Sequence, residues 1–209
     1  MTSRFSRAQV LRLLAAVLVS AAIAPARAVL AAGYPDHPVT LVVAFTPGGP
    51  SDVLARIVGK KMEELLGQPF VIENKPGAGG NLAADYVARA KPDGYTLLMG
   101  NNSILATNES LYKKLSYSPE KDFIPITLVG TQANILVVNP KVPVHSLNEL
   151  IELCRAQPGK INFASSGYGA AAHLAGELFK AEARVNLVHV PYKGAAPALQ
   201  DVIAGNDQM

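Results

Sequence analysis

A β-branched segment at residues 39–45, apolar except for Thr40, constrains the fold most. A Gly- and Pro-rich turn follows it at once at 46–50. A strand with one face in water alternates apolar and polar residues, so this continuous run predicts a strand covered on both faces, as in a parallel sheet. Apolar residues then recur at three- and four-residue steps over 53–66, which predicts an amphipathic helix that Ser51 or Asp52 can cap. The pattern therefore indicates a βα unit.

The same alternation of strand and helix continues along the chain and occurs in two blocks, separated by a looser stretch after residue 100. The further predicted strands are residues 70–72, 95–99, 124–129, 135–138, 161–164 and 186–190. The further predicted helices are residues 81–90, 146–156, 170–183 and 195–204. Strands that alternate with helices predict parallel sheets with short loops at the carboxyl ends of the strands. We therefore expect two α/β halves.

One helix start carries a specific signal. Ser146 and Glu149 match the capping box, in which each side chain accepts a hydrogen bond from the backbone N–H of the other residue. This pattern predicts that the helix begins at Ser146. The single cysteine, Cys154, lies on the same helix and is expected to be a partly buried small apolar residue.

The N-terminus has the order of residues found in secretory signal peptides. Three arginines precede the apolar stretch 13–24, and small residues surround Ala28. The apolar stretch falls well short of the ~20 residues that a membrane-spanning helix needs. We expect residues 1–32 to direct export to the periplasm, with cleavage near Ala28 or Ala32.

The positive charge of the chain belongs to this segment. The whole sequence has 19 Lys and Arg against 16 Asp and Glu, a net charge of +3. Without residues 1–28, which contain four arginines and no acid, 15 basic residues face 16 acidic ones and the net charge is −1. No basic cluster is left in the remainder, and the sequence has no Trp, so nucleic acid is not an expected partner.

Two strand-to-helix loops, residues 45–52 and 164–173, are the segments best suited to bind a ligand. Both are Gly-rich, and both lead into a helix whose first N–H groups have no partner within the helix. Such N–H groups, together with the helix dipole, can bind a carboxylate or a phosphate without a formal cation. The alternative is that each loop is an ordinary capped and solvated βα turn.

The sequence lacks the common catalytic and cofactor motifs. The loop at Gly48 has no P-loop lysine, and residues 77–80 lack the spacing of a dinucleotide fingerprint. The histidines have no metal-ligand spacing, so neither a metal nor a cofactor is expected. A serine hydrolase that uses Ser166 and His173 remains an alternative, although no Gly-x-Ser-x-Gly elbow is present. We therefore expect a binding protein and not an enzyme.

Eight stretches, in order along the chain, carry a family resemblance. They are residues 34–39, Phe45 with 47–49 and Asp52, then 73–81, 92–98, 121–123, 165–167, 173–177 and 190–194. Together they resemble the extracytoplasmic solute receptors of tripartite tricarboxylate transporters, often called the Bug family of periplasmic binding proteins. The resemblance covers the whole chain from Tyr34 to Met209.

The resemblance implies an α/β fold, a Venus flytrap similar to type II periplasmic binding proteins with two doubly wound domains, and a truncation at the C-terminus. The implied boundaries are 1–32 for the signal peptide, 33–129 for the first domain and 130–209 for the second. A small organic carboxylate would lie in the cleft between the domains, held by backbone groups, hydroxyls and waters. The implied ligand-binding residues are Phe45, Pro47, Gly48, Gly49, Ser51, Asp52, Asn101, Ser165, Ser166, Gly167, His173 and Tyr192, with Tyr192 near the hinge side.

The resemblance also implies a monomer that delivers its ligand to the membrane permease subunits of the transporter. A nonfunctional truncated remnant of such a receptor is the alternative. Three residues differ from the usual family pattern: Pro50 stands in place of a Gly, and Ala170 and Ala171 stand where Ser or Thr is frequent.

Overall fold

The computed structural model describes residues 33–209, and the predicted signal peptide lies outside the described residues. Residues 37–209 form one compact unit. We call residues 37–122 the first lobe and residues 139–209 the second lobe. None of the described helices has both the length and the apolar composition that a membrane crossing requires.

The first lobe is built on a parallel three-stranded sheet in the order β2-β1-β3. Its strands are β1 (Val39–Val43), β2 (Phe70–Asn74) and β3 (Thr96–Met99). Its helices are α1 (Pro50–Leu66), α2 (Asn81–Ala88), α3 (Asn108–Leu111) and α4 (Pro119–Asp122), with one 3-10 turn at Ala78–Gly80 and one π-helical turn at Ser103–Thr107.

The central strand β1 is covered on both faces, as its continuous apolar sequence predicts. Val42 packs with Ala83 and Ala84 of α2 on one face, and Val43 packs with Ala55 of α1 on the other. All five of these residues have no exposed surface. The doubly buried position explains why Thr40 is the one polar residue among the five of the strand.

The start of α1 differs from the prediction. The N-cap is Gly49, with Pro50 in the first turn, and neither Ser51 nor Asp52 caps the helix. Proline is well suited to the first turn because its φ is already helical and its missing N–H would have no partner within the helix. Asp52 instead accepts a hydrogen bond from the backbone N–H of Gly48, at 3.0 Å.

The second lobe contains α5 (Leu147–Ala156), β4 (Asn162–Ser165), α6 (Ala171–Ala183), β5 (Val188–Pro191) and α7 (Ala195–Ala204). β4 and β5 pair in parallel, with Phe163 opposite His189. On the other edge of β4, the N–H of Ala164 donates to the carbonyl of Met209 at 2.7 Å. Cys154, expected to be partly buried, is fully buried in the core of this lobe.

The predicted capping box is half formed. Ser146 caps α5 by accepting from the N–H of Glu149 at 3.2 Å. The Glu149 carboxylate accepts from the N–H of His145 at 2.6 Å, and not from that of Ser146 as predicted.

The predictions of strands at 124–129 and 135–138 are wrong. Both segments lack regular secondary structure, and Ile124 and Ile135 are 90% and 82% exposed. A strand needs a neighbour for its backbone hydrogen bonds, and in the part of the chain that the structure describes no strand lies alongside either segment. The apolar, β-branched composition favours a strand, but composition alone does not supply the partner.

Candidate ligand-binding cleft

The two lobes border a cavity of about 2340 Å³. The β1–α1 loop contributes Gly48, Gly49 and Ser51 to its lining, and the second lobe contributes Ser165 and Ser166 from the β4–α6 loop. Both loops follow the carboxyl ends of parallel strands, where ligands of open α/β sheets bind. The cavity exceeds the ~300–1,000 Å³ of a small-molecule site because it continues along the exposed segment 123–137.

Asp52 holds the first of these loops in place. Its side chain is 3% exposed and accepts from Nε and Nη2 of Arg56, both at 2.9 Å. The amide of Asn74 donates to Asp52 Oδ1 at 2.9 Å and to the carbonyl of Phe45 at 3.0 Å. The hydrogen bonds from Arg56, with those from Gly48 and Asn74, lower the pKa of Asp52 to about 2, although burial opposes the shift. Asp52 is thus an ionised anchor for the loop.

The start of α1 presents backbone donors at this wall. The first hydrogen bond within the helix runs from the N–H of Val53 to the carbonyl of Gly49, at 3.0 Å. Because Pro50 has no N–H, the donors without a partner in the helix are those of Ser51 and Asp52. The 17 residues of α1 add the partial positive charge of the helix dipole.

The second wall is the loop 165–170. Ser165 Oγ accepts from the N–H of Gly167 at 3.1 Å and lies 2.6 Å from Nε2 of His189. The N–H of Gly169 donates to Nδ1 of His173 at 3.1 Å. Gly167 and Gly169 have φ values of 128° and 78°, which residues with a side chain rarely adopt. The turn therefore depends on glycine and on two histidines behind it.

These histidines form part of an aromatic stack. The rings of His173 and His189 are stacked with centroids 4.3 Å apart, and Phe163 lies on His189 at 4.7 Å. Tyr168 meets both imidazoles edge-on, at 5.4 Å and 5.1 Å. Burial is the main cause that lowers the pKa of both imidazoles. The pKa of His189 falls to about 4, with the neighbouring His173 as the next cause. Both rings are therefore neutral at pH 7.

Tyr192 is directed into the second lobe. Its hydroxyl lies 2.5 Å from Asp201 Oδ2 and 2.7 Å from Asp207 Oδ2. Burial, together with hydrogen bonds to the two carboxylates, raises the pKa of Tyr192. Its backbone N–H donates to the carbonyl of Ser165 at 2.9 Å and so extends the pairing of β5 with β4.

The lobes touch at the edge of the cleft. The N–H of Thr46 donates to the carbonyl of Lys193 at 3.2 Å. A Cβ at Gly194 would overlap the hydroxyl of Thr46, so this approach requires glycine. A Cβ at Gly79 would lie 2.5 Å from the carbonyl oxygen of Tyr168, which marks a second close approach.

The sequence-predicted site residues fall into two groups. Those that border the cavity are Phe45, Gly48, Gly49, Ser51, Asn101, Ser165 and Ser166. Those outside its lining are Pro47, Asp52, Gly167, His173 and Tyr192. Asp52 and His173 lie one layer behind the cleft and hold its two loops. Sequence reasoning did not select Asn74 or His189. Asn74 is the last residue of β2, where side chains meet the loops, whereas His189 lies within β5 and has no such signal.

The geometry also bears on the hydrolase alternative. The serine that meets a histidine is Ser165, with His189, whereas His173 Nδ1 accepts from Gly169. Ser165 is 2% exposed and already accepts the N–H of Gly167, so its hydroxyl holds the loop. A nucleophile needs access to the substrate, which this hydroxyl lacks.

Two lobes with parallel sheets, whose strand-to-helix loops border one cleft, define the class of two-lobed α/β binding proteins. The family model described as "Tripartite tricarboxylate transporter family receptor" matches residues 54–209. The chain belongs to this family of solute-binding receptors, which are not enzymes, and the α/β fold of a periplasmic binding protein, expected from the resemblance, is confirmed.

Curated relatives are similar over most of the chain. BugT of Bordetella pertussis is 40% identical over 196 residues, which are 93% of this chain and 60% of BugT. A protein encoded in the tcbD-tcbE intergenic region of a Pseudomonas species is 39% identical, over 95% of this chain and 59% of that protein. The chain thus spans about three fifths of the length of these relatives.

Solved structures give the same result. An R. palustris protein with adipate has 42% identity and a TM-score of 0.82, over 84% of this chain and 58% of that one. MatC from Rhodopseudomonas palustris with bound malate has 36% identity and a TM-score of 0.79, over 84% of this chain and 60% of that one. Both ligands, adipate and malate, are small dicarboxylates.

Proposed function

We propose that this chain is an exported receptor that captures a small organic dicarboxylate in the cleft between its lobes. The observation that carries the proposal is the placement of two helix N-termini, those of α1 and α6, at the lining of one cavity. The adipate and malate held by two structural neighbours support the class of ligand.

Backbone dipoles would supply most of the attraction for the carboxylates. In α6 the first hydrogen bond within the helix runs from Leu174 to Ala170, so the N–H groups of residues 171–173 have no partner within the helix. Ser51 and Asp52 offer the corresponding donors at α1, and the hydroxyl of Ser166 can add a hydrogen bond. Among the cleft-lining residues that the structure describes, Lys91 is the one cation, so an arginine clamp does not enter the proposal.

The remaining parts of the proposal follow from family membership. The receptor would act in the periplasm as a monomer, after removal of residues 1–32, and pass its ligand to membrane permease subunits. Its domains would be residues 33–129 and 130–209. Binding would draw the lobes together about the cleft, as in other hinged receptors.

A nonfunctional remnant of such a receptor is the second candidate. The observation that favours it is the exposed apolar segment 123–137, in which Ile126 and Leu128 are each 77% exposed. A chain that exposes this much apolar surface is prone to associate.

Isothermal titration calorimetry with adipate and malate at pH 7.5 tests the proposal and separates it from the remnant. We expect saturable binding to the chain of residues 33–209, and no binding of the diamide of adipic acid, which has the same length and no charge. The variant Ser166→Ala should bind more weakly, whereas Ser110→Ala, an exposed serine of α3, should bind as wild type. Absence of binding by a folded chain, with MatC binding malate and the R. palustris protein binding adipate in parallel, would overturn the proposal.

A further inference from the structure

The loop 165–170 forms the second wall of the cleft, and its internal hydrogen bonds are supplemented by two histidines from outside it. Ser165 Oγ, which accepts the N–H of Gly167, is held from behind by His189 at 2.6 Å. The N–H of Gly169 is held by Nδ1 of His173 at 3.1 Å. Two imidazoles from different elements, β5 and α6, therefore fix the two ends of one turn.

The hydrogen bond from Gly169 defines the protonation of His173. Nδ1 can accept an N–H only when it carries no proton, so His173 is neutral with its proton on Nε2. A proton added to this ring has to go to Nδ1, where it would face the N–H of Gly169. Protonation of His173 and the present position of Gly169 are therefore incompatible.

The surroundings of the pair also oppose a charge. His173 is 8% exposed, and its ring is stacked at 4.3 Å on His189, whose other face is covered by Phe163. The ionisable groups near the pair are Glu177 and Lys180 of α6, whose charges act in opposite directions, and Tyr168, which meets both rings edge-on. Lys180 is also paired with Glu177 at 2.9 Å, so the carboxylate is not free to compensate an imidazolium.

The loop also meets the first lobe. The carbonyl oxygen of Tyr168 packs on Gly79, and a Cβ at Gly169 would overlap the side-chain oxygen of Asn108. Asn108 in turn donates from Nδ2 to the carbonyl of Gly79 at 3.1 Å. A displaced loop would therefore disturb both the second wall and the contact between the lobes.

We propose that the stacked pair His173 and His189 are positioning residues that hold the loop 165–170 in its binding conformation, and that this arrangement makes carboxylate binding sensitive to acid. The inference rests on the proposed function. The ordered loop binds fewer protons than a loosened loop, because burial lowers the pKa of both imidazoles. The ordered state is thus fully favoured above the ordinary imidazole pKa of about 6.5 and loses population as the pH falls below it.

The variant His173→Asn tests this inference. The asparagine Oδ1 takes approximately the place of Nδ1 and accepts an N–H, but it does not ionise in this range. With adipate as the probe, we expect His173→Asn to bind more tightly than His173→Leu at pH 7.5, because it keeps an acceptor for the N–H of Gly169. Between pH 7.5 and pH 5 the wild type should lose more affinity than the variant, because burial lowers the pKa of His173 in the ordered loop and the variant has no group there that ionises.

Two further variants complete the comparison. His173→Leu, which removes the acceptor, should bind weakly at both pH values. His145→Asn, which changes an exposed histidine near the start of α5, should keep the wild-type pH profile. Adipate itself takes up protons in this range, but this effect is common to all variants and cancels in their ratios. Parallel profiles for wild type and His173→Asn would overturn the inference.

A readout without ligand separates this inference from the proposed function. In ¹H–¹⁵N spectra of the ligand-free chain, the amide resonance of Gly169 should move with the protonation of His173 in wild type and stay constant in His173→Asn. If adipate and malate do not bind but Gly169 behaves in this way, the receptor function fails and the positioning role stands. If Gly169 does not respond to the protonation of His173, the positioning role fails whether or not carboxylates bind.

Discussion

The amide of Asn74, at the end of β2, donates a hydrogen bond of 2.9 Å to the carboxylate of Asp52 in the first turn of α1. With Gly48 and Arg56 as further donors, this carboxylate links a strand, a helix and the loop of the first cleft wall. The hydrogen bond thus connects the sheet to the cleft loop, although Asp52 itself does not line the cavity.

Replacing this anchor should cost stability in a pH-dependent way. The pKa of Asp52 falls from an ordinary 3.8 to about 2, so its ionised form contributes about 2 kcal/mol to the free energy of unfolding. This contribution is complete above pH 3.8 and is lost as the pH falls toward 2. Asp52→Asn should therefore lower the unfolding free energy at pH 7 by about 2 kcal/mol, measured by urea denaturation followed by circular dichroism.

Glu63→Gln is the matched control for Asp52→Asn, because Glu63 is an exposed acid on the same helix. We expect it to change the unfolding free energy by less than about 0.5 kcal/mol. Equal stability of Asp52→Asn and wild type at pH 7 would show that the carboxylate does not anchor the loop.

Tyr192 should stabilise the second lobe through its hydroxyl. Tyr192→Phe would leave the carboxylate of Asp207, which is 3% exposed, without its phenol partner, and this should cost about 1–3 kcal/mol. Because the hydrogen bond from Tyr192 lowers the pKa of Asp201, the difference from wild type should shrink as the pH falls below about 3.8. Thermal denaturation between pH 3 and pH 7 measures this, with Tyr86→Phe, an exposed tyrosine of α2, as the control.

Gly194 should control how closely the lobes approach. A Cβ at this position would overlap Thr46, so Gly194→Ala should separate the two loops. We expect adipate binding to weaken by at least about tenfold, corresponding to about 1.4 kcal/mol, as measured by calorimetry. Gly33→Ala, which places a methyl group outside the cavity lining and where nothing lies within 4 Å, should bind as wild type. Unchanged adipate affinity of Gly194→Ala would contradict this prediction and show that binding does not depend on the contact between the lobes.

The segment 123–137 should cause self-association without contributing to the core. Ile126→Lys and Ile135→Lys replace side chains that are 77% and 82% exposed, so they should change the unfolding free energy by less than about 0.5 kcal/mol. They should also reduce the binding of the dye ANS and the concentration-dependent light scattering of wild type. A large loss of stability in either variant would mean that these side chains are buried in solution.

Most helices and strands with strong local signals could be predicted from the sequence. The strand at 39–43 has a continuous apolar sequence because both of its faces are covered, and Gly67 ends α1 with a left-handed φ of 73°. The segment 124–138 has equally good strand residues and forms none, because strand formation depends on a neighbour that is distant in the sequence.

Some residues of the candidate site could likewise be predicted from local sequence, and others depend on tertiary contacts. Gly48, Gly49 and Ser166 could be selected because the strand-to-helix pattern places such loops at the carboxyl ends of parallel strands. His189 could not be selected, since its role depends on the register that sets Phe163 opposite it and on the stacking of His173 from another helix.

The sequence by itself therefore determined the α/β class, the family and the two loops of the cleft, because these depend on local periodicity, glycine positions and ordered motifs. Only the tertiary structure decided which polar side chains border the cavity and which stand behind it. Asp52 and His173 lie close in sequence to the cavity-lining Ser51 and Ser166. Their side chains, however, accept hydrogen bonds from the backbone N–H groups of Gly48 and Gly169. That distinction depends on burial and on the direction of side chains, which are set by packing between segments far apart in the chain.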